Sequence, residues 1–426
     1  MLDRKIIPTI EEAVHFDLQL KNCDRFTLDN KVPVYAINAG AQDVVMVEWV
    51  FDAGNWYDKQ PMVAATTNFL IKNGTASKTA YQINDFFEFH GAYLNRSCYN
   101  ETASITLHCL SKHLETLLPV VREIIETSIF PEEELAIYIQ NQKQRLSVNL
   151  QKCDFIANRL IDEYLFGINH PYGTYSNAED YDMLTIEVIT AFYKQYYLHG
   201  QCKIFVAGKM PIGYETLINK AFGTLTLNGA PHAVVEHAVV PATEKHIEIV
   251  NDENGVQAAI RMARPFPNRH HPDFQKAHVL NTLFGGFFGS RLMSNIREDK
   301  GYTYGIHSYF QNHVHASAWM ISTEAGRDVC AATITEVIKE MEILRNEPVD
   351  QAELDLVRNY MIGSLLGDLD GPFQLIGRWK SYVLNDLDEN YFYRSIETIK
   401  SVTPQELQTL ANTYLQPKDF YQLVVI

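Results

Sequence analysis

Positive charge is scarce in this 426-residue chain: 36 Lys and Arg stand against 52 Asp and Glu, a net charge of −16. Nucleic acid needs clustered cations to displace phosphate counterions, so that class of partner is not expected. The acidic balance suits basic partners or peptides, and it is spread out, with no long acidic run. Long apolar runs are missing too; nothing approaches the ~20 residues of a membrane helix. The opening MLDRKIIPTIEEAVHFDLQL holds no apolar block of signal-peptide length. A cytoplasmic protein is the expectation, and a leader already removed would leave the same sequence. The six cysteines (Cys23, Cys98, Cys109, Cys153, Cys202 and Cys330) are widely separated and form no C-x-x-C. A zinc ribbon or thioredoxin-type site therefore has no support, and free buried thiols are expected. Neither H-x-x-E-H nor H-E-x-x-H occurs, and there is no G-K-[ST] or G-x-G-x-x-G to hold phosphates.

What is present suffices for packed interiors: 46% of residues are hydrophobic and 12% aromatic. The length exceeds one ordinary core, so two domains are expected. The most informative stretch is Gly285 to Tyr304, GGFFGSRLMSNIREDKGYTY. Phe288, Leu292 and Ile296 fall at helical spacing, so one face is apolar. Gly301 stands where such a helix needs a left-handed cap. Tyr302 and Tyr304 then alternate with small residues, as in a half-buried strand. Gly285, Gly286 and Gly289 read as letting the helix approach its sheet. This reversal can bring Arg297 and Tyr304, seven positions apart, towards one site.

The two halves of the chain echo each other. NDFFEFHGAYLN leads into an alternating strand, a helix over 112–126, then FPEEEL and another helix. NIREDKGYTYG leads into a strand through SAWMISTEA, a helix over 327–344, then PVDQAEL and another helix. Gly91 aligns with Gly301 and Phe130 with Val349. The fold class read from this repeat is α+β, with two homologous domains, each an antiparallel or mixed sheet with helices packed on one face. The domains are placed at 1–225 and 245–426, joined by a linker over 226–244. VHFDLQL, ending at Leu20, should be the first strand, and FYQLVVI the last.

SRLMSNIREDKGYTYG resembles the C-terminal-domain signature of the pitrilysin/insulinase-type peptidases, which include mitochondrial processing peptidase. The likeness covers most of the chain. It extends to VEWVFDAGNWYD (Val47–Asp58), Gly74-Thr75, the paired strands His90–Leu110, and IFPEEEL (Ile129–Leu135). The resemblance implies two homologous domains arranged as a clamshell, and it places the first long strand, which Asn55, Trp56 and Tyr57 follow, near a peptide-binding edge, with a simple hairpin turn as the alternative reading of those three residues. It also implies an Arg and a Tyr that contact substrate from the second half, here Arg297 and Tyr304. Members of that family are inverted zincins with H-x-x-E-H in the first half. Counted back from Gly74-Thr75, that motif falls on Ala65-Thr66-Thr67-Asn68-Phe69, so Ala65, Asn68 and Phe69 stand at the degenerate zinc positions. A small register shift gives Asn68 to Lys72 instead, and neither window holds a His or Glu. The third ligand, a Glu, would fall within 139–145, where IQNQKQR has no carboxylate.

Zinc needs N, O or S donors at short range, and Ala, Phe, Ile and Lys offer none. No metal and no catalytic residue is therefore expected in this chain alone. Some members of the family split the work over two chains, one keeping H-x-x-E-H and the other the Arg/Tyr pair. By that likeness this chain is the non-zinc, substrate-binding subunit of a heterodimeric metallopeptidase, with zinc in a sister subunit and a peptide as substrate. The alternatives are an inert scaffold or assembly subunit, or a peptide-binding module. A homodimer in isolation remains open.

Other metal signals are weaker. His232-Ala-Val-Val-Glu236-His237 is one residue too long for the motif and reads as a solvent-facing linker. His270-His271 precede Pro272 in a turn. His313 and His315 share one strand face by period two and read as an ordinary polar face. Asp368 and Asp370 precede Gly371 as a capped loop.

Overall fold

The computed structural model describes residues 11–229 and 235–426. The first half contains strands β1 (Asp24–Thr27), β2 (Pro33–Asn38), β3 (Val44–Phe51), β4 (Tyr93–Cys98), β5 (Ala103–Leu110) and β6 (Cys202–Gly208). They form one sheet in the order β1-β2-β6-β3-β5-β4, with β2 parallel to β6 and the other pairs antiparallel. Its helices are α1 (Val63–Leu70), α2 (Ala80–Phe89), α3 (Leu114–Thr127), α4 (Glu132–Asn149), α5 (Cys153–Phe166), α6 (Ala178–Asp182), α7 (Ile186–Tyr193) and α8 (Tyr214–Phe222). The second half repeats the plan with β7 (His246–Ile249), β8 (Gln257–Phe266), β9 (Thr303–Asn312), β10 (Ser317–Gly326) and β11 (Tyr421–Val425). Their order is β7-β11-β8-β10-β9, again with one parallel pair, β7 and β11. The helices here are α9 (Phe274–Asn281), α10 (Cys330–Asn346), α11 (Gln351–Gly367), α12 (Pro372–Leu384), α13 (Asn390–Ser401) and α14 (Pro404–Tyr414).

Local chemistry accounts for the boundaries. Glu132, Glu133 and Glu134 fill the first turn of α4, where the helix dipole favours carboxylates. Thr79 with Gln82, and Thr403 with Glu406, close capping boxes at α2 and α14. The helices expected over 112–126 and 327–344 are α3 and α10, each entered through a short 3-10 turn. FYQLVVI is the last strand, as expected.

Two expectations need correction. VHFDLQL begins in a 3-10 turn (Ala13–His15), and its alternation buries Leu18 and Leu20, but its backbone joins no sheet. The first strand is Asp24–Thr27, because a period-two pattern reports burial of side chains and not the presence of a neighbouring strand. VEWVFD does not lie at an edge either. It belongs to β3, which is central because β6, some 150 residues later, inserts beside it. Buried on both faces, β3 reads as a continuous apolar run broken only by Glu48.

The two halves are in direct contact through exchanged helices. Helix α5 of the first half lies on the open face of the second sheet, against β8 and β11. Ala157, Ile161, Leu165 and Phe166 pack there with Ala259, Ala263, Met320 and Leu423. Helix α12 returns the exchange by covering β2 and β6 of the first sheet. Its Leu375, Ile376 and Trp379 join Ile37, Val50 and Phe205 in one core. Each such buried aliphatic or aromatic side chain contributes about 1.5–3 kcal/mol of gross transfer free energy. Polar pins fix the register. Lys380 of α12 donates to both oxygens of Glu48, at 3.0 and 2.8 Å. Arg261, 2% exposed on β8, donates to Asn158 of α5 at 2.7 Å.

A ring of aromatic and imidazole groups closes the junction. Trp56 stacks on His315 (4.1 Å between centroids) and Tyr172 on His313 (4.0 Å). His237 lies beside Trp56 and pairs through Nε2 with the Trp56 carbonyl at 3.0 Å. His313 and His315 thus belong to this cluster and not to an ordinary polar face. Val235 and Glu236 are exposed, as a linker suggests, whereas His232 lies outside the described residues.

Candidate functional site

Helix α1 carries Ala65, Asn68 and Phe69, and each is accounted for by packing. Asp58 accepts from the Ala64 N–H at 2.8 Å at the start of the helix, and burial pushes its carboxyl up to about 7. Ala65 is half-buried. Asn68 is buried and donates to the Ser104 carbonyl at 3.2 Å and the Tyr197 hydroxyl at 3.1 Å. It does what a core amide must, satisfying its hydrogen-bonding groups within the protein. The Phe69 ring packs on Tyr138 of α4 with centroids 4.8 Å apart. The Arg96 guanidinium covers that ring at 4.4 Å, and Arg96 Nε donates to the Phe69 carbonyl.

Charge at this place is opposite to what a cation site requires. Burial holds the Arg96 guanidinium down to about 10. The Lys72 ammonium is held down to about 8, by burial first and by Arg96 second. Lys72 donates to Asn84 at 3.1 Å. The α4 stretch 139–145 presents no carboxylate. Among the described residues no group of three His, Cys, Asp or Glu side chains is placed to hold a metal ion. The donors do not fit zinc: an amide engaged elsewhere, a phenyl ring and a methyl group cannot ligate it.

The second half is built differently. Gly285 lets the backbone reach β9, since a Cβ there would lie 2.7 Å from the Ser308 Cβ and 2.9 Å from its N. The following helix begins at Arg291 and winds as a π-helix over Met293–Asp299. Leu292, Met293 and Ile296 are buried beneath it. Arg291 forks onto Glu353 of α11 with two bonds of 2.8 Å. Asn295 donates to Glu336 and Glu340 of α10 at 3.0 and 2.7 Å. Gly301 takes φ +67°, the left-handed turn expected of it, and Tyr302 N–H returns to the Ile296 carbonyl at 3.0 Å.

Arg297 projects from this anchored helix. Phe288, expected on the apolar face, instead lies in the glycine loop before the helix and is 59% exposed. Its ring is a platform for the Arg297 guanidinium at 4.6 Å. Arg297 makes no ion pair among the described residues, with Glu298 and Asp299 included.

Tyr304 lies on the edge strand β9, at a β-bulge. Ile306 opposes Thr323 and Thr303 opposes Ala325, so Tyr304 and Gly305 share one position across from Glu324. Bulges re-aim side chains, and Tyr304 is 92% exposed. Hydroxyls hold the irregularity: the Thr323 hydroxyl lies within reach of both Thr303 Oγ1 (2.8 Å) and the Gly305 carbonyl (2.9 Å), and Thr303 donates to the Glu324 carbonyl at 2.6 Å. No hydrogen bond or ring contact joins Arg297 to Tyr304, and both are separated from Ala65, Asn68 and Phe69, which lie in the other half. The platform ring and the bulge escaped the sequence reading, although Gly305 inside a strand is the signal that marks such a bulge.

The comparisons agree with this architecture. The chain is similar to the uncharacterized zinc protease YmxG of Bacillus subtilis, 23% identical over 361 residues, which is 83% of this chain and 86% of that protein. It is also similar to the non-peptidase homolog YmxG of Helicobacter pylori, 23% identical over 308 residues, 69% of this chain and 68% of that one. The crystal structure of a peptidase M16 inactive domain from Pseudomonas fluorescens shares the fold with a TM-score of 0.85 at 23% identity, covering 95% of this chain and 98% of that chain. Residues 183–361 match the peptidase M16 inactive domain, so this stretch of the chain is similar to that domain of the M16 peptidases.

Proposed function

We propose that this chain is the substrate-binding subunit of a two-chain zinc metallopeptidase, and that a sister subunit with H-x-x-E-H carries the metal and the general base. One observation supports this most: Arg297, held on the Phe288 ring, and Tyr304, turned out by the bulge, make no side-chain hydrogen bond or ion pair among the described residues, on a helix and strand that Arg291, Asn295 and Thr323 anchor. A guanidinium held on a ring, with no carboxylate of its own, is suited to orient a peptide carbonyl by directional hydrogen bonds. A phenol on a bulged edge is suited to donate to the carbonyl oxygen as negative charge develops there. The substrate is a peptide, and its carbonyl meets zinc only in the partner's cleft. The packed stack of Arg96, Phe69 and Tyr138 also suits a second reading, an inert scaffold subunit that no longer touches substrate.

The experiment is reconstitution. The isolated chain should not cleave peptides with or without added zinc, and the mixture with its sister subunit should. Metal-dependent hydrolysis by the lone chain would refute the proposal. Full activity of the mixture carrying both Arg297→Ala and Tyr304→Phe would leave only the scaffold reading.

A further inference from the structure

A cavity of about 610 Å³ lies within the helix layer of the second half, between α9, α11, α12 and α13 and the far end of β9. The volume is in the range of small-molecule sites, roughly 300–1,000 Å³. No residue of α1 lines it, and neither does Arg297 or Tyr304.

Its charge runs against that of the whole protein. Two guanidiniums, Arg269 and Arg378, and one carboxylate, Asp368, line it, within a chain of net charge −16. Arg378 spends its charge inside the wall, donating to Asp368 at 2.6 Å and to the Tyr382 hydroxyl at 3.2 Å. Its Nε is buried with no partner. Arg269 donates to the Ser381 hydroxyl at 2.7 Å and makes no ion pair among the described residues. His278 faces the same space and titrates below its ordinary value, because of burial first and Arg269 second. A half-buried guanidinium whose nearest partner is a neutral hydroxyl has the forked donor set that matches carboxylate and phosphate. The wall beside it is the π-helical segment Thr282–Gly286, with Thr282 and Gly286 in the lining, and π-segments recur at functional sites.

We propose that this cavity binds a small organic anion, whose carboxylate or phosphate group is taken by Arg269 and steadied by Arg378. The segment 282–286 is joined to the helix of Arg297 by the four-residue glycine loop 287–290, so an occupied cavity would stiffen the base from which that residue projects.

The test uses the full chain, with inorganic phosphate and citrate as separate probes, and reads calorimetric binding together with the NMR titration of His278. Saturable binding in the millimolar range or tighter by either probe is expected, with the His278 pKa rising on saturation as the anion offsets the field of Arg269. Saturation by citrate alone assigns a carboxylate ligand, and by phosphate alone a phosphate ester. Arg269→Met should weaken binding by about tenfold or more, equivalent to ~1.4 kcal/mol, at an unchanged thermal midpoint, with Arg269→Lys in between. If the Met variant fails to fold, Ser381→Ala, which frees Arg269 from its tether, should still alter the affinity. The proposal is overturned if neither probe saturates, or if Arg269→Met binds as the wild type does. Neither readout involves a sister subunit, so this outcome is independent of peptidase reconstitution.

Discussion

The two halves use the same local device and put it to opposite ends. In each, a helix runs to a left-handed glycine and turns into the edge strand of its sheet: α2, Gly91 and β4 in the first, the Arg297 helix, Gly301 and β9 in the second. Gly91 has φ +58° and Gly301 φ +67°, and a Cβ at either would meet nothing within 4 Å. Backbone conformation and not crowding therefore calls for glycine at both. Four residues earlier the first half holds Phe87, buried in its core, and the second holds the half-buried Arg297. Beyond the glycine, β4 pairs with β5 without interruption, whereas β9 bulges and turns Tyr304 outward. In the first half, Asn68 is engaged by the Ser104 carbonyl and the Tyr197 hydroxyl, and Phe69 by Tyr138 and Arg96. In the second half, Arg297 and Tyr304 make no side-chain hydrogen bond or ion pair among the described residues, although Arg291 and Asn295 beside them do.

That asymmetry can be broken most directly by activity. In the complex with a sister subunit, Arg297→Ala should lower kcat/KM by about 10²–10³ and Tyr304→Phe by a smaller factor, with assembly by size-exclusion chromatography unchanged. Asn68→Ala should leave turnover as it is. Equal losses from both halves would erase the distinction.

The next largest effect concerns the exchanged helices. Ile161→Ala in α5 should cost about 2–5 kcal/mol of stability and Trp379→Ala in α12 about 3–5, each moving a single thermal transition. Two separate transitions, with only one displaced, would mean that the halves unfold independently.

Phe69→Ala should cost roughly 1–2 kcal/mol in denaturant unfolding, the sum expected for one aromatic pair and one cation–π contact. The triple substitution Ala65→His, Asn68→Glu and Phe69→His should still retain no zinc by elemental analysis, because Arg96 and Lys72 remain and 139–145 offers no third carboxylate. Stoichiometric zinc in that variant would show that the stack is not what bars the ion.

The smallest effect is at the junction. Burial, then His237, His313 and His315, hold the His170 imidazole down to about 4. The unfolded state, titrating near 6.5, therefore binds more protons between these values. The His170 contribution to stability is present above 6.5 and is lost as pH falls towards 4. Asp58 and Asp162, pushed up to about 7 by burial, act with the opposite sign, losing their contribution as pH rises from about 4 to 7. Subtracting the stability profile of His170→Asn from that of the wild type should isolate the acid-side loss. A flat difference would mean that His170 titrates normally.

Much of this was readable from residues alone. Burial patterns and turn chemistry announced α3, α4, α10, α11, the glycine cap at Gly301 and the final strand, since each depends on neighbours close in sequence. That Ala65, Asn68 and Phe69 carry no His or carboxylate is a matter of residue type and needs no structure. The π-winding of 293–299 was not, because it alters hydrogen-bond register without changing which residues are apolar. Nor was the stack of Arg96 on Phe69 on Tyr138, whose members come from three separated segments. The central place of β3 depends on a strand some 150 residues away. The cavity around Arg269 likewise assembles residues from six elements.

The reciprocal crossing of α5 and α12 carries a practical corollary. Severed between residues 229 and 235, the polypeptide would yield two pieces, each exposing an unclad sheet face and an arm shaped to clothe the other. Such pieces should be poorly behaved singly and reassociate when co-expressed, which makes the chain a ready scaffold for a split reporter.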